Sequence, residues 1–213
     1  MKQETGSNIS VNDNVVSIQL PLGGHSFSAE QVTASLGTAA GGSIDKARTA
    51  KVVCTVLTPR TTLVPRECFD AASAEQYLRI AGLPRRSDET VVTSDRSAQI
   101  VAVMAVSSDC VSKLNGLFGD MVEFTSPLCG SQNYSEPTVW LHRAGDLIYI
   151  KVYRPVLRMA EAVEISSEAD VMQLLHDLEP SLDVSHCTVV CSGDGSERLR
   201  KRLAKYYMNV KCE

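Results

Sequence analysis

The sequence predicts an α/β protein made of two successive βββαβαβ units, and three observations predict it. Residues 137 to 212 carry three apolar runs, Thr138-Val139-Trp140-Leu141, Leu147 to Tyr153 and Val156 to Val163, then helix, strand, helix and strand. That order reads as a meander whose sheet is extended through crossover helices. The same succession of elements returns in residues 14 to 126, although residue identities do not repeat. Between the two, Ser126 to Glu136 has two prolines nearby and several small polar residues, a linker composition. The expected layout is a first lobe over 14–126 and a second over 137–213. Residues 1–13 are expected to be disordered and 127–136 to join the lobes.

Taken in order, the polar start frays, and Val15 to Leu20 is the first strand. Pro21-Leu22-Gly23-Gly24 supplies a turn, so that His25 to Ala29 returns as a hairpin partner. Leu36 to Ala50, rich in Gly and Ala and without periodicity, reads as a mobile loop. Lys51 to Thr58 is a strand ended by Pro59, and Thr61 to Pro65 leads toward a helix. Asp70 is a good N-cap for it, and Ala74, Tyr77, Leu78 and Ala81 make one helical face. Gly82 and Pro84 stop this helix, and Arg85 to Glu89 is loop. Thr90 to Ser94 and Gln99 to Val106 are strands, the former an addition to the repeated unit. Ser108 caps a helix that buries Val111, Leu114, Leu117 and Phe118, and Met121 to Phe124 closes the lobe.

In the second lobe, Arg143-Ala144-Gly145-Asp146 turns the first hairpin. Ser167 and Asp170 stand at capping-box spacing, ahead of a stripe of Val171, Leu174, Leu175 and Leu178 that Pro180 ends. Cys187 to Cys191 is a strand. The last helix, about Ser196 to Tyr207, is expected to bury Leu199, Leu203 and Tyr206 before a final strand over Met208 to Cys212.

Composition narrows the function classes. With 44% hydrophobic and 22% charged residues among 213, the chain has an ordinary globular balance. A net charge of -4 supplies no field favouring nucleic acid or an anionic membrane. No apolar run approaches bilayer-spanning length, and the start lacks a signal-peptide core, so a cytoplasmic location is expected. The seven cysteines include no Cys-x-x-Cys pair and are odd in number, which argues against a disulfide framework or structural zinc. The four histidines offer no ligand spacing.

Two βββαβαβ units in succession are the mark of the ribonuclease H-like, actin-like architecture. With Thr62-Leu63-Val64-Pro65, Phe69-Asp70, Tyr77-Leu78, Ser192-Gly193 and Asn209-Val210-Lys211, the chain resembles an uncharacterised family of Bacteroides-type bacterial proteins with an actin-like fold. The resemblance covers nearly everything from about residue 14. It implies two lobes with a cleft between them, and it brings no established activity with it.

Actin-like ATPases hold phosphate at two hairpin turns and adenosine at a glycine-rich strand-to-helix turn. The first turn here, Leu20-Pro21-Leu22-Gly23-Gly24, has no acid to organise Mg²⁺, and Pro21 removes an amide donor. The second, Arg143 to Leu147, offers only Asp146 beside Gly145, which a plain hairpin turn explains more simply. The third, Ser192-Gly193-Asp194-Gly195-Ser196, precedes a helix, where backbone amides meet anions. A tight turn with Asp194 or Ser196 as helix cap explains those residues too. The candidates for nucleotide contact are therefore Gly193, Gly195, Ser196 and Asp146. The first strands, 15–20 and 138–142, contain no carboxylate for nuclease metals, and no Gly-x-Ser-x-Gly occurs. Arg198, Lys201, Arg202 and Lys205 share a helical face that reads as solvated, its cations complementing the helix dipole.

The expectation is an actin-like pseudo-ATPase: non-catalytic, without cofactor or metal, a binding or scaffold module for another protein or a further copy of itself. Neither membrane nor nucleic acid is the expected partner. The alternative is a degenerate protein that still binds ATP at the second-lobe glycine turn.

Overall fold

The computed structural model describes residues 9–12, 15–21, 51–130, 132 and 134–213. The chain divides into two compact units, Met1–Cys129 and Gly130–Glu213. The expected hairpin partner at 25–29, the loop at 36–50 and turn residues 22–24 lie outside the described residues.

The first unit contains strands β1 (Ile9–Asn12), β2 (Val15–Pro21), β3 (Lys51–Leu57) and β4 (Thr61–Pro65), then helix α1 (Ala74–Ile80) and strands β5 (Glu89–Thr93) and β6 (Ile100–Ser107). Helix α2 (Ser108–Phe118) and strand β7 (Val122–Thr125) complete it. They form two sheets. One has the order β1-β2-β3-β7, with β1 antiparallel to β2 and the other pairs parallel. The second is the antiparallel trio β4-β6-β5.

Several expectations change here. Residues 9–12 pair as a strand rather than belonging to a disordered end, because Ile9 to Asn12 find backbone partners along Val15 to Ile18. Thr61 to Pro65 is a strand instead of a lead-in. Among the described residues the strand over 99–106 pairs with β4 and β5 and not with β3, so it belongs to a second sheet.

The apolar sequence of β6 explains the two-sheet arrangement. Ala102, Met104 and Val106 face a core shared with Ile18, Val52, Cys54 and Leu114. Val103 and Ala105 face a separate cluster with Leu78 of α1 and Val64. A strand buried on both faces needs an uninterrupted apolar run rather than an alternating one. Asp70 caps as expected, but it caps the 3₁₀ turn Ala71–Ser73 immediately before α1: its carboxylate accepts from the Ser73 hydroxyl and the Ala72 amide, which lower its pKa. Tyr77 donates to the Cys68 carbonyl at 2.7 Å and accepts from the Asp70 amide at 2.9 Å. Past the helix, Leu83 N–H reaches Leu78 O and Gly82 N–H reaches Arg79 O, a Schellman stop with Gly82 at φ +75°. Ser108 is the first residue of α2 and not its cap; its hydroxyl lies 2.8 Å from that of Thr90. Ser126 and Leu128, from the expected linker, are buried.

The second unit contains β8 (Thr138–Ala144), β9 (Leu147–Arg154), β10 (Val156–Glu164), α3 (Glu168–Leu182), β11 (Thr188–Gly193), α4 (Ser196–Leu203) and β12 (Val210–Cys212). One sheet runs β10-β9-β8-β11-β12. The β8-β9-β10 meander is antiparallel, whereas β11 is parallel to both β8 and β12. This is the predicted βββαβαβ order. Both helices cover one face, where Val171 and Leu175 of α3 and Leu199 and Leu203 of α4 meet Val139, Leu141, Ile148, Ile150 and Val189.

The capping box forms, with Asp170 accepting from the amides of Ser166 at 2.7 Å and Ser167 at 2.8 Å. Those bonds lower its pKa. Pro180 does not end α3 but sits inside its last turn, and the helix stops at Asp183, a left-handed residue at φ +47°. Tyr206, expected to be buried, is 70% exposed because α4 ends at Leu203. The buried cysteines act as small apolar residues. Burial pushes the Cys54 and Cys191 thiols up to about 12 and Cys110 to about 11, and all seven cysteines are free. Among the described residues no helix is long and apolar enough to cross a membrane.

Candidate functional site

Parallel pairing of β8 with β11 continues to their carboxyl ends, where Gly193 lies opposite Arg143. The β8–β9 hairpin and the β11–α4 turn are thereby brought side by side. Carboxyl ends of parallel strands are where α/β sheets place their sites.

The hairpin is a two-residue turn, Gly145-Asp146, since Ala144 pairs directly with Leu147. Gly145, at φ +59°, supplies the left-handed backbone that such a turn requires. Asp146 is exposed, and its carbonyl accepts from the Ile165 amide at 2.8 Å. Among the described residues its carboxylate has no hydrogen-bond or ion-pair partner.

Gly193 and Gly195 are glycine for different reasons. A Cβ on Gly193 would stand 2.1 Å from the Arg143 carbonyl oxygen and 3.0 Å from His142 Cε1, so the close approach of the strands excludes any side chain. Gly195 has nothing within 4 Å of the corresponding position, and only its φ of +63° favours glycine. It is the N-cap of α4, and no side chain caps that helix. Ser196 is the first helical residue. The sequence-based assignment of the cap to Asp194 or Ser196 is thus corrected, because Asp194 is engaged elsewhere.

That engagement is the feature that sequence reasoning missed. The Asp194 amide donates to the Arg143 carbonyl at 2.9 Å, and its carboxylate accepts from the Gly145 amide at 2.8 Å. A carboxylate from one turn therefore sits on the backbone donor of the other. The signal in the sequence was a lone acid between two glycines, which is indistinguishable from a cap until the partner strand is known.

Beneath the turns, His142 Nδ1 lies 3.1 Å from Ser192 Oγ, which also approaches the Leu141 carbonyl at 3.4 Å. The ring stacks on Trp140, 5.4 Å between centroids and 5° from parallel. Burial lowers the His142 pKa from its ordinary 6.5, Asp194 opposes that shift and Lys151 adds to it. The imidazole ties β8 to β11. Among the described residues no cluster of three or more His, Cys, Asp or Glu side chains is placed to hold a metal ion.

No family model and no curated protein matches the sequence. Among solved structures, the chain is similar to a Bacteroides thetaiotaomicron protein with an actin-like ATPase fold and unknown function. That match has 18% identity and a TM-score of 0.69 over 97% of this chain and 90% of the other. It is also similar to the PilM–PilN type IV pilus biogenesis complex, at 13% identity and a TM-score of 0.52, over 97% of this chain and 84% of that one. At such identities the likeness is one of fold, and the fold is that of the actin-like ATPases.

Proposed function

With an actin-like fold as the premise, we propose that this chain is a non-catalytic member of that architecture, acting as a binding or scaffold module for another protein. One observation carries the reading: the Asp194 carboxylate accepts from the Gly145 amide. In the ATPases of this fold the second hairpin turns its amides to phosphate. Here that donor already holds an anion from within the chain, and a second anion beside it meets charge repulsion. Leu20 and Pro21 of the first turn add neither a carboxylate for Mg²⁺ nor, at the proline, an amide. These residues do not fit Mg-ATP. The PilM–PilN complex offers a precedent for this fold serving in a protein–protein assembly.

A second reading, a degenerate nucleotide-binding protein, is favoured by the open space at Gly195 and the absence of a side-chain cap on α4. Gly193, Gly195, Ser196 and Asp146 would be its contacts. Calorimetric titration with ATP and Mg²⁺ separates the two. The expected result is no binding and no hydrolysis above background for the wild type, with Asp194→Ala gaining weak affinity for phosphate as the Gly145 amide is released. Tight wild-type binding lost in a normally melting Gly195→Ala variant establishes the second reading instead. So does turnover that vanishes in Asp146→Ala.

A further inference from the structure

Three features set α4 apart from an ordinary solvated basic helix. Glu168, the first residue of α3, is only 7% exposed, and it holds Arg198 Nε at 2.7 Å and Arg202 Nη1 at 3.3 Å. A buried carboxylate is stable only when paired, and this one pins two arginines whose side chains remain 81% and 45% exposed. Next, Lys201 and Lys205 are exposed on the same side, and among the described residues neither is in an ion pair. Finally, these residues surround a shallow hollow of ≈ 440 Å³ bordered by Tyr206, which is 70% exposed; two residues on, Met208 is 96% exposed.

We propose that this cationic hollow at the end of α4 is a docking surface for an acidic segment of a partner protein that carries an apolar side chain. The proposal rests on the binding-module reading and specifies its surface. Charge complementarity decides the occupant. The hollow is lined by four cations, Arg198, Lys201, Arg202 and Lys205, against one acid, Glu168, in a protein whose net charge is -4. The patch is therefore a local exception that attracts carboxylates, while the rest of the molecule repels a polyanion. Glu168 takes Nε of Arg198 and Nη1 of Arg202, which leaves the outward guanidinium N–H groups of both arginines to meet a further carboxylate, and the two lysines outnumber the single internal acid with point charges beside them. Tyr206 supplies an aromatic contact at the rim. A nucleic acid would call for a longer basic track with interleaved aromatics, and a membrane surface for a broader apolar face.

The test is fluorescence polarisation with a labelled Asp/Glu-rich peptide carrying one Phe, on the full chain at about 0.15 M salt. A peptide of equal charge with Ala in place of Phe, a single-stranded oligonucleotide and phosphatidylserine vesicles run in parallel. Expected is peptide binding that weakens about tenfold or more in Lys201→Glu/Lys205→Glu. The Phe peptide should bind more tightly than the Ala peptide, and Tyr206→Ala should erase that difference. Both substitutions lie on exposed side chains, so melting temperatures should stay unchanged. No peptide binding, or binding indifferent to the lysine reversal, overturns the proposal. Oligonucleotide or vesicle binding that is sensitive to the reversal, with the peptide inert, overturns it in favour of that class. ATP titration of the same lysine variant keeps the two readings apart: tight ATP binding would refute the non-catalytic reading without touching the peptide result.

Discussion

Strands β6 and β9 are both eight residues long and almost wholly buried, yet their second faces differ in chemistry. Each has one face on its unit's main core. The other face of β6 is Val103 and Ala105 against Leu78 of α1, apolar throughout. The other face of β9 is Tyr149, Lys151 and Tyr153, each carrying a polar tip. Lys151 Nζ donates to the Gly130 carbonyl at 2.8 Å and Gln132 Oε1 at 2.9 Å, and lies 4.9 Å from the Trp140 ring centroid. Tyr134 meets Tyr153 edge-on at 5.4 Å. One strand is covered by a helix that has satisfied its own backbone. The other is met by Gly130, Gln132 and Tyr134, where a backbone carbonyl and a side-chain amide oxygen take the Lys151 donor. Burial alone does not distinguish these cases; the residue types on the second face do.

The largest loss is expected at Gly193, where the sheet of the second unit admits no side chain. Gly193→Ala forces a Cβ against the Arg143 carbonyl from a left-handed backbone, and a loss on the order of 3 kcal/mol is expected. Trp140 is the only tryptophan, so its fluorescence during urea unfolding reports this unit. An unmoved midpoint would mean that the strands part there at no cost.

For β6, substituting each face in turn tests the double burial. Met104→Ala should lose about 3 kcal/mol and Val103→Ala about 2 kcal/mol, both followed by far-UV circular dichroism. If Val103→Ala is neutral, α1 does not pack on β6 as described.

Gly195→Ala is expected to lose about 1 kcal/mol, since only its φ opposes a side chain. The contrast with Gly193 is the quantity to measure. Equal losses would dissolve the distinction between steric exclusion and backbone preference.

The smallest effect expected is a pH dependence confined to the second unit. The folded pKa of His142 lies below its unfolded value of 6.5, so the unfolded chain binds the proton more readily. Its stabilising contribution is complete above that value and is lost as pH falls through it toward the folded pKa. The tryptophan-monitored midpoint should drop between about pH 7.5 and about pH 5.5 in wild type, and less in His142→Gln. A wild-type midpoint flat across that range would show that His142 does not titrate differently in the two states.

Much of the second unit was legible in sequence because its signals are local. The Gly145-Asp146 turn, the Ser167–Asp170 box and the Val171-to-Leu178 stripe each depend on residues within a few positions of one another. Apolar periodicity likewise identified Leu78 with Ala74 and Tyr77 on α1 and Leu114 and Phe118 with Val111 and Leu117 on α2, while it wrongly added Ala81, which is exposed past the end of α1, and missed the buried Cys110. Pairing partners were another matter. The run at 100–106 announced a buried strand, but whether it joined β3 or β4 depended on which faces α1 and α2 would cover, a nonlocal packing choice. The end of α4 at Leu203 escaped for a related reason: Tyr206 continues the apolar spacing, and only tertiary placement left it in water.

The sequence by itself therefore determined, for the second unit, the kinds of element, their order and the composition of the first hairpin turn. Tertiary structure alone decided that Asp194, which looks like a helix cap, reaches 49 positions back to the Gly145 amide. The physical reason is that an acid between glycines is free to serve any nearby donor. Which donor is near is set by the parallel alignment of β8 and β11, a long-range pairing that no window of residues contains.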